Sequence, residues 1–276
     1  DFPFREGDVV IGTWSKTGTT WVQQIIAQLI FGGSEVPNVH AMSPWVELRV
    51  MPLEEKLELL EGQTHRRFMK THLPVDAMVF DERARYIYVA RDGRDVAWSM
   101  HNHHYRFTDE FYAMVNETPG LVGPKVERPT ADVEAYYRDW LARDGAPWWS
   151  FFDHIKSWWS VRELDNVLLV HFADLKSDLA AEIRRIADFL GYGDADLPWA
   201  QIEQHCGFDY MKRNADQVAP LGGVLWEGGA QTFIHRGTNG RWRDVLSDQD
   251  IAEYRSVAEA RLGVDCARWL ELGSRV

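Results

Sequence analysis

The chain predicts an α/β fold: one domain over 1–276, with a central, mostly parallel sheet flanked by helices. Three observations predict it. Short apolar runs recur as Val9-Val10-Ile11, Tyr86-Ile87-Tyr88-Val89 and Val167-Leu168-Leu169-Val170, the pattern of strands buried on both faces of a parallel sheet. Segments with apolar residues at helical spacing alternate with these runs. The first run passes through a polar, glycine-containing loop directly into a helix, which is how a βαβ unit opens.

The elements follow in order. After 9–11 comes Gly12-Thr13-Trp14-Ser15-Lys16-Thr17-Gly18-Thr19-Thr20. Val22, Ile25, Ile26, Leu29 and Ile30 then recur at helical spacing until Gly32-Gly33 stop them. A second amphipathic helix is expected over 53–60. A strand over 67–70 ends at Thr71-His72-Leu73-Pro74, and the strand over 86–89 is closed by Arg91-Asp92-Gly93 with a helix from about Asp95. Residues 107–131 carry Pro119, Gly120, Gly123, Pro124 and Pro129 and read as a long loop or lid. Trp-rich helices over 131–164, a strand over 167–170 and a helix over 180–190 come next. A glycine-rich stretch, 221–240, precedes a last helix over 248–262.

Composition limits the function. The 276 residues are 45% hydrophobic, and a chain of this length buries roughly 75% of its unfolded surface without staples. Thirty basic against 42 acidic residues give a net charge of −12. That balance argues against nucleic acid or heparin-like polymers as partners, because such binding needs many Lys and Arg contacts. A local basic pocket for a small anion is compatible with it. Thirteen tryptophans suit the walls of a pocket better than open surface. Cys206 and Cys266 lack metal-ligand spacing and read as reduced and structural, as in a cytoplasmic protein. No run reaches the ~18 apolar residues of a membrane span, and no signal peptide is visible.

The loop at 15–20 is the strongest local signal for chemistry. A helix N-terminus leaves N–H groups unpaired and carries partial positive charge, so it attracts an anion. Gly18 allows close approach, Thr17, Thr19 and Thr20 add hydroxyls, and Lys16 adds a full charge. A plain N-cap and turn glycine would need no lysine. The loop is not a Walker A motif, because the lysine precedes the glycine and Thr13 stands where the earlier glycine belongs.

Lys16-Thr17-Gly18-Thr19-Thr20-Trp21 resembles the 5′-phosphosulfate loop of the cytosolic-type sulfotransferases, which use 3′-phosphoadenosine 5′-phosphosulfate (PAPS). Ser15 and Thr17 depart from the family's usual proline and serine. Four further stretches agree in order: Lys70-Thr71-His72-Leu73-Pro74, residues 88–99, Phe233-Ile234-His235-Arg236-Gly237 continuing to Arg243, and Phe151-Phe152-Asp153-His154 with Trp158-Trp159. The resemblance covers nearly the whole chain and implies a P-loop-like nucleotide-binding architecture, with PAPS as donor, 3′-phosphoadenosine 5′-phosphate (PAP) as product, and no metal. It makes His72 the general base, Lys16 the stabiliser of the leaving oxygen, Lys70 a support for the sulfuryl group, and Ser99 the partner of Lys16 or of the 3′-phosphate. Donor binding falls to Lys16, Thr17, Gly18, Thr19, Thr20, Trp21, Arg91, Ser99, Phe208, Met211, Phe233, His235, Arg236 and Gly237. The acceptor, a small and apolar molecule bearing a hydroxyl or less often an amine, is expected against His72, His154, Phe152 and Trp149.

Physical chemistry supports these assignments residue by residue. Histidine titrates near working pH and suits a base. Forked guanidinium groups suit a polyanionic donor. His101, His103 and His104 bring no carboxylate or cysteine partner with them in sequence, so pocket lining or surface fits them better than zinc. Phe172 and Cys206 stand where the family has hydroxyls, and His235 where it has arginine. The family's dimer signature is not evident over 242–250, so no oligomeric state is expected from it. A magnesium-dependent small-molecule or nucleoside kinase is the alternative, as is a relative that binds without catalysis; the first lacks its Gly-Lys-Ser/Thr loop, and the second predicts loss of His72 or Lys16.

Overall fold

Four strands form one sheet: β1 (Val9–Thr13), β2 (Phe68–Thr71), β3 (Arg85–Ala90) and β4 (Val167–His171). They pair in the order β2-β1-β3-β4, all parallel. This computed structural model describes residues 3–35, 38–48, 51–118, 120 and 125–274. Gly12 of β1 is level with Thr71 of β2 and Tyr88 of β3, so three strands end side by side. The chain leaves β1 for one neighbour and later returns to the other side of it. That reversal opens a crevice at the C-terminal ends of β1 and β3, where open α/β sheets bind ligands.

Both faces of the sheet are apolar, which explains the unbroken hydrophobic runs. Val9, Ile11, Phe68, Ile87, Val89 and Val170 pack with the helices Thr19–Ile30, Leu179–Leu190 and Trp199–Cys206. Val10, Met69, Tyr86, Tyr88 and Ala90 face the other layer, built from Gly93–Tyr105, Val133–Ala142, Phe151–Ser160, Asp248–Leu262 and Val264–Leu272. Trp158 stacks on Tyr88, with ring centroids 5.0 Å apart, and a Cβ at Gly12 would collide with its indole. Among the described residues no helix is long and apolar enough to cross a membrane.

Several expectations are corrected. The loop expected over 107–131 contains a helix, Asp109–Asn116, whose first turn is capped by the Thr108 hydroxyl; Pro119, Gly123 and Pro124 lie outside the described residues. The helix expected from Asp95 begins at Gly93, because the Asp92 side chain accepts from the Arg94 amide and starts it earlier. The glycine-rich stretch contains the short helix Ala230–Phe233. A further helix, Val264–Leu272, follows the one expected to be last, with Gly263 at positive φ making the break between them.

Candidate active site

The crevice is built first from the turn after β1. Lys16 has φ 68, a left-handed conformation that costs a non-glycine residue energy and commonly marks a functional turn. Gly18, at φ 126, stands just before the helix Thr19–Ile30 and gives it no side-chain cap. The Thr17 hydroxyl donates to the Trp14 carbonyl at 2.8 Å, and Thr19 Oγ1 lies 2.8 Å from Thr13 Oγ1. Two of the loop's hydroxyls therefore shape the turn, and the first-turn amides remain for an anion. This is the fit a sulfate or phosphate group requires.

β2 delivers Lys70 and His72. His72 Nδ1 sits 2.7 Å from the Thr13 carbonyl and 2.9 Å from Thr13 Oγ1. A carbonyl can only accept, so the proton resides on Nδ1 and Nε2 is the basic nitrogen. Burial, then the charge of Lys70, pull His72 down to about 3, so the imidazole is neutral in the empty site. Trp149 stacks over the imidazole at 6.0 Å and Trp45 meets it edge-on at 4.8 Å. Sequence reading missed Glu47, which accepts from the His72 amide at 2.5 Å. It arrives on a segment that hydrogen-bonds along β2, with Val46 N donating to Lys70 O at 3.0 Å. A contact made across a loop in this way leaves no local spacing to detect.

β3 delivers Arg91. Its guanidinium donates to Thr238 O at 2.9 Å and Asn239 Oδ1 at 3.0 Å, and lies 4.1 Å over the Phe172 ring. The departure at Phe172 thus replaces a hydroxyl with a ring face for a cation. Asp95 accepts from the Gly240 amide at 2.7 Å, so β3 and its helix hold the late loop at two points. Trp21 donates to Cys206 O at 2.8 Å. Gly237, at φ 59, lies against Phe208, where a Cβ would clash. Met211 is buried in the core beside Cys206 and Val218.

Lys16, Lys70 and Arg91 meet in one place despite the acidic whole. Burial, then Arg91 and Lys70, lower Lys16 to about 7; burial lowers Lys70 to about 8, with Glu47 opposing. Two neighbouring cations thus act against the charge on Lys16, and an anion placed among the three would relieve that opposition. His235 keeps much of its surface in solvent beside Arg241 and Arg236, and partial desolvation with those charges takes it down to about 4. His154 bonds the Tyr88 hydroxyl at 3.0 Å.

One expected residue is not brought in: Phe152 turns into the core against Tyr254 and Arg261. No hydrogen bond joins Ser99 to Lys16 among the described residues, which leaves the donor's 3′-phosphate as the partner expected of it. Lys16 Nζ instead meets His103 Nδ1 at 3.2 Å. The three neighbouring histidines take three different partners: His101 the Thr130 carbonyl, His103 Lys16, and His104 the Trp148 indole.

The end of the parallel sheet thus gathers two lysines, an arginine and a neutral histidine in one crevice. The model of the sulfotransferase domain matches residues 6–264, and the chain belongs to that family. It is similar to a protein of Mycobacterium tuberculosis (strain H37Ra) named glycolipid sulfotransferase, with 30% identity over 98% of this chain and 90% of the relative. Mouse sulfotransferase 1B1 is 28% identical over 95% and 85% of the two chains. Among solved structures, mouse sulfotransferase SULT7A1 complexed with PAP superposes with a TM-score of 0.72 at 24% identity, covering 98% of this chain and 89% of that one. Retinol dehydratase in complex with androsterone and PAP gives 0.70 at 22%, covering 95% and 82%. The protein is a sulfotransferase; the kinase alternative gains no support from these matches.

Proposed function

We propose that this sulfotransferase takes PAPS as donor and moves its sulfuryl group in line onto a hydroxyl, less readily an amine, of a small and predominantly apolar acceptor. The single observation that carries the reading is the convergence of neutral His72, Lys16, Lys70 and Arg91 at the ends of β1, β2 and β3. PAPS supplies an activated sulfuryl group on a phosphate that leaves as a stable anion. The amides at the start of Thr19–Ile30, with Thr20 and Lys16, hold its 5′ end. Arg91 with His235, Arg236 and Gly237 hold its 3′-phosphate, and Trp21 and Phe208 flank the base. The PAP-complexed relatives and the donor-site motifs support that placement.

His72 Nε2 takes the acceptor's proton as the oxygen attacks sulfur, and Thr13 holds the ring in the required tautomer. Lys16 stabilises charge that grows on the departing oxygen, which is useful only in the transition state. Lys70 steadies the transferring group. Trp149 and Trp45 wall the acceptor beside His72, an aromatic surface suited to an apolar or lipid-linked hydroxyl. The glycolipid named for the mycobacterial relative fits that description.

Calorimetric titration with PAP in metal-free buffer, on the wild type and on Arg91→Ala, tests the donor. Tight binding by the wild type and loss in the variant are expected. Failure of the wild type to bind PAP, or binding unaffected by Arg91→Ala, overturns the proposed donor site. Transfer of radiolabelled sulfate from PAPS to a panel of phenols, alcohols and glycolipids then sorts the acceptor.

A further inference from the structure

The box around the Lys16 ammonium has no role in the account so far. His103, on the helix Gly93–Tyr105, presents Nδ1 at 3.2 Å, and the Phe233 ring lies 4.5 Å away. The walls close on one another: His103 and Trp226 are 4.9 Å apart, Trp226 and Phe233 4.8 Å, and His103 and Phe107 4.7 Å. Among the described residues no carboxylate forms an ion pair with Lys16. One hydrogen-bond acceptor and one ring face, that of Phe233, therefore hold this cation without a counter-charge, and Trp226 and Phe107 pack around His103 and Phe233. The walls come from the helix after β3, from the start of the segment over 107–131, and from the late loop.

Resting on the sulfotransferase reading, we propose that His103 is the positioning residue for Lys16: its imidazole holds the ammonium in the empty site and yields it to the donor's leaving oxygen on binding. The geometry supports this directly. Among the described residues Ser99, one turn earlier on the same helix, makes no hydrogen bond to Lys16, and His103 is the side chain that meets the ammonium. The groups that act electrostatically on the pair are Arg91, Lys70, His40, His72 and His104. None is acidic, and burial first, then the charge of Lys16, holds His103 well below the ordinary imidazole range; the imidazole is neutral and accepts, and the ammonium donates. A donor phosphate is a stronger acceptor than an imidazole, and that difference drives the handover.

The test begins with nucleotide-free protein. Carbon-13 NMR of the lysine Cε resonances, with Lys16 assigned by its loss in Lys16→Arg, follows the Lys16 titration in wild type, His103→Phe and His103→Asn. Removing the acceptor disfavours the charged form, so the midpoint in His103→Phe is expected to fall by about one pH unit, the worth of one charge-assisted hydrogen bond. The Asn carbonyl oxygen should regain most of that shift. An unchanged midpoint in His103→Phe, or an equal fall in both variants, overturns the pairing. Circular dichroism and Tm confirm folding, and His103→Leu replaces the Phe variant if the phenyl ring disturbs the box. With saturating donor, kcat is expected to fall several-fold in His103→Phe and to recover in His103→Asn; equal kcat in wild type and His103→Phe overturns the positioning role. A wild type that fails to bind PAP counts against the donor reading alone, since the NMR result on the pair needs no nucleotide.

Discussion

At the strand ends, His72 and the turn before Thr19–Ile30 are tied down by buried hydrogen bonds to β1: Thr13 to His72, Thr13 to Thr19, and Thr17 to Trp14. The late loop at 230–241 closes the other side of the site differently. Its residues His235, Arg236, Thr238 and Asn239 are exposed, and it is held through Arg91, Asp95 and the Phe208–Gly237 contact. The first region is rigid because the sheet register fixes it. The second rests on a few contacts, among them two hydrogen bonds from Arg91, the side chain proposed to hold the donor's 3′-phosphate. Proton and sulfuryl transfer need close placement, and the residues proposed for them sit in the first region.

That contrast can be broken or sharpened by substitution. His72→Ala is expected to lower kcat by ~10²–10⁴ with PAP affinity unchanged, read by initial rates and calorimetry together; a matching loss of PAP affinity would show that the rigid half is one donor site and not a catalytic one. Lys16→Met should cost ~10²–10³ in kcat. Because free Lys16 titrates at about 7, kcat/KM for the donor should decline above that pH in the wild type. The limb in kcat should lie higher, since bound anion favours the ammonium.

The late loop should show smaller effects. Arg91→Ala is expected to weaken PAP binding about ten- to a hundredfold and to increase proteolytic cleavage over 230–241, measured by limited digestion without ligand. Asp95 gives the smallest effect. Burial, against the opposing charge of Arg91, pushes its carboxyl up to about 6. The folded chain therefore keeps a proton that the unfolded chain releases near pH 4, and stability declines as pH rises from about 4 to about 6. Asp95→Asn should flatten that stretch of the stability curve, followed by chemical denaturation, while keeping an acceptor for the Gly240 amide.

The same contrast explains what was legible. Strands β1, β3 and β4 announce themselves because parallel strands buried on both faces must be apolar throughout. The lysine and glycine of the first turn stand out because an anion site at a helix N-terminus requires those residue types. Helix Asp109–Asn116 was hidden by the prolines and glycines after it, and its Thr108 cap was the signal available to find it. Phe152 was expected in the acceptor pocket because residues 151–154 resemble the family's acceptor-side helix, yet residues two apart on a helix, as Phe152 and His154 are, point about 200° apart, and Phe152 lies in the core.

The sequence alone determined the α/β class, the strand that leads into the glycine-containing turn, the sulfotransferase family, and the residue types proposed to carry sulfuryl transfer. These are properties of local pattern and chemical type. The tertiary structure decided which partners those residues meet: Glu47 on the His72 amide, Phe172 beneath Arg91, and His103 on Lys16. Each joins residues that are distant in the chain. Where two such side chains come to rest depends on packing against both faces of the sheet, and no local pattern encodes that.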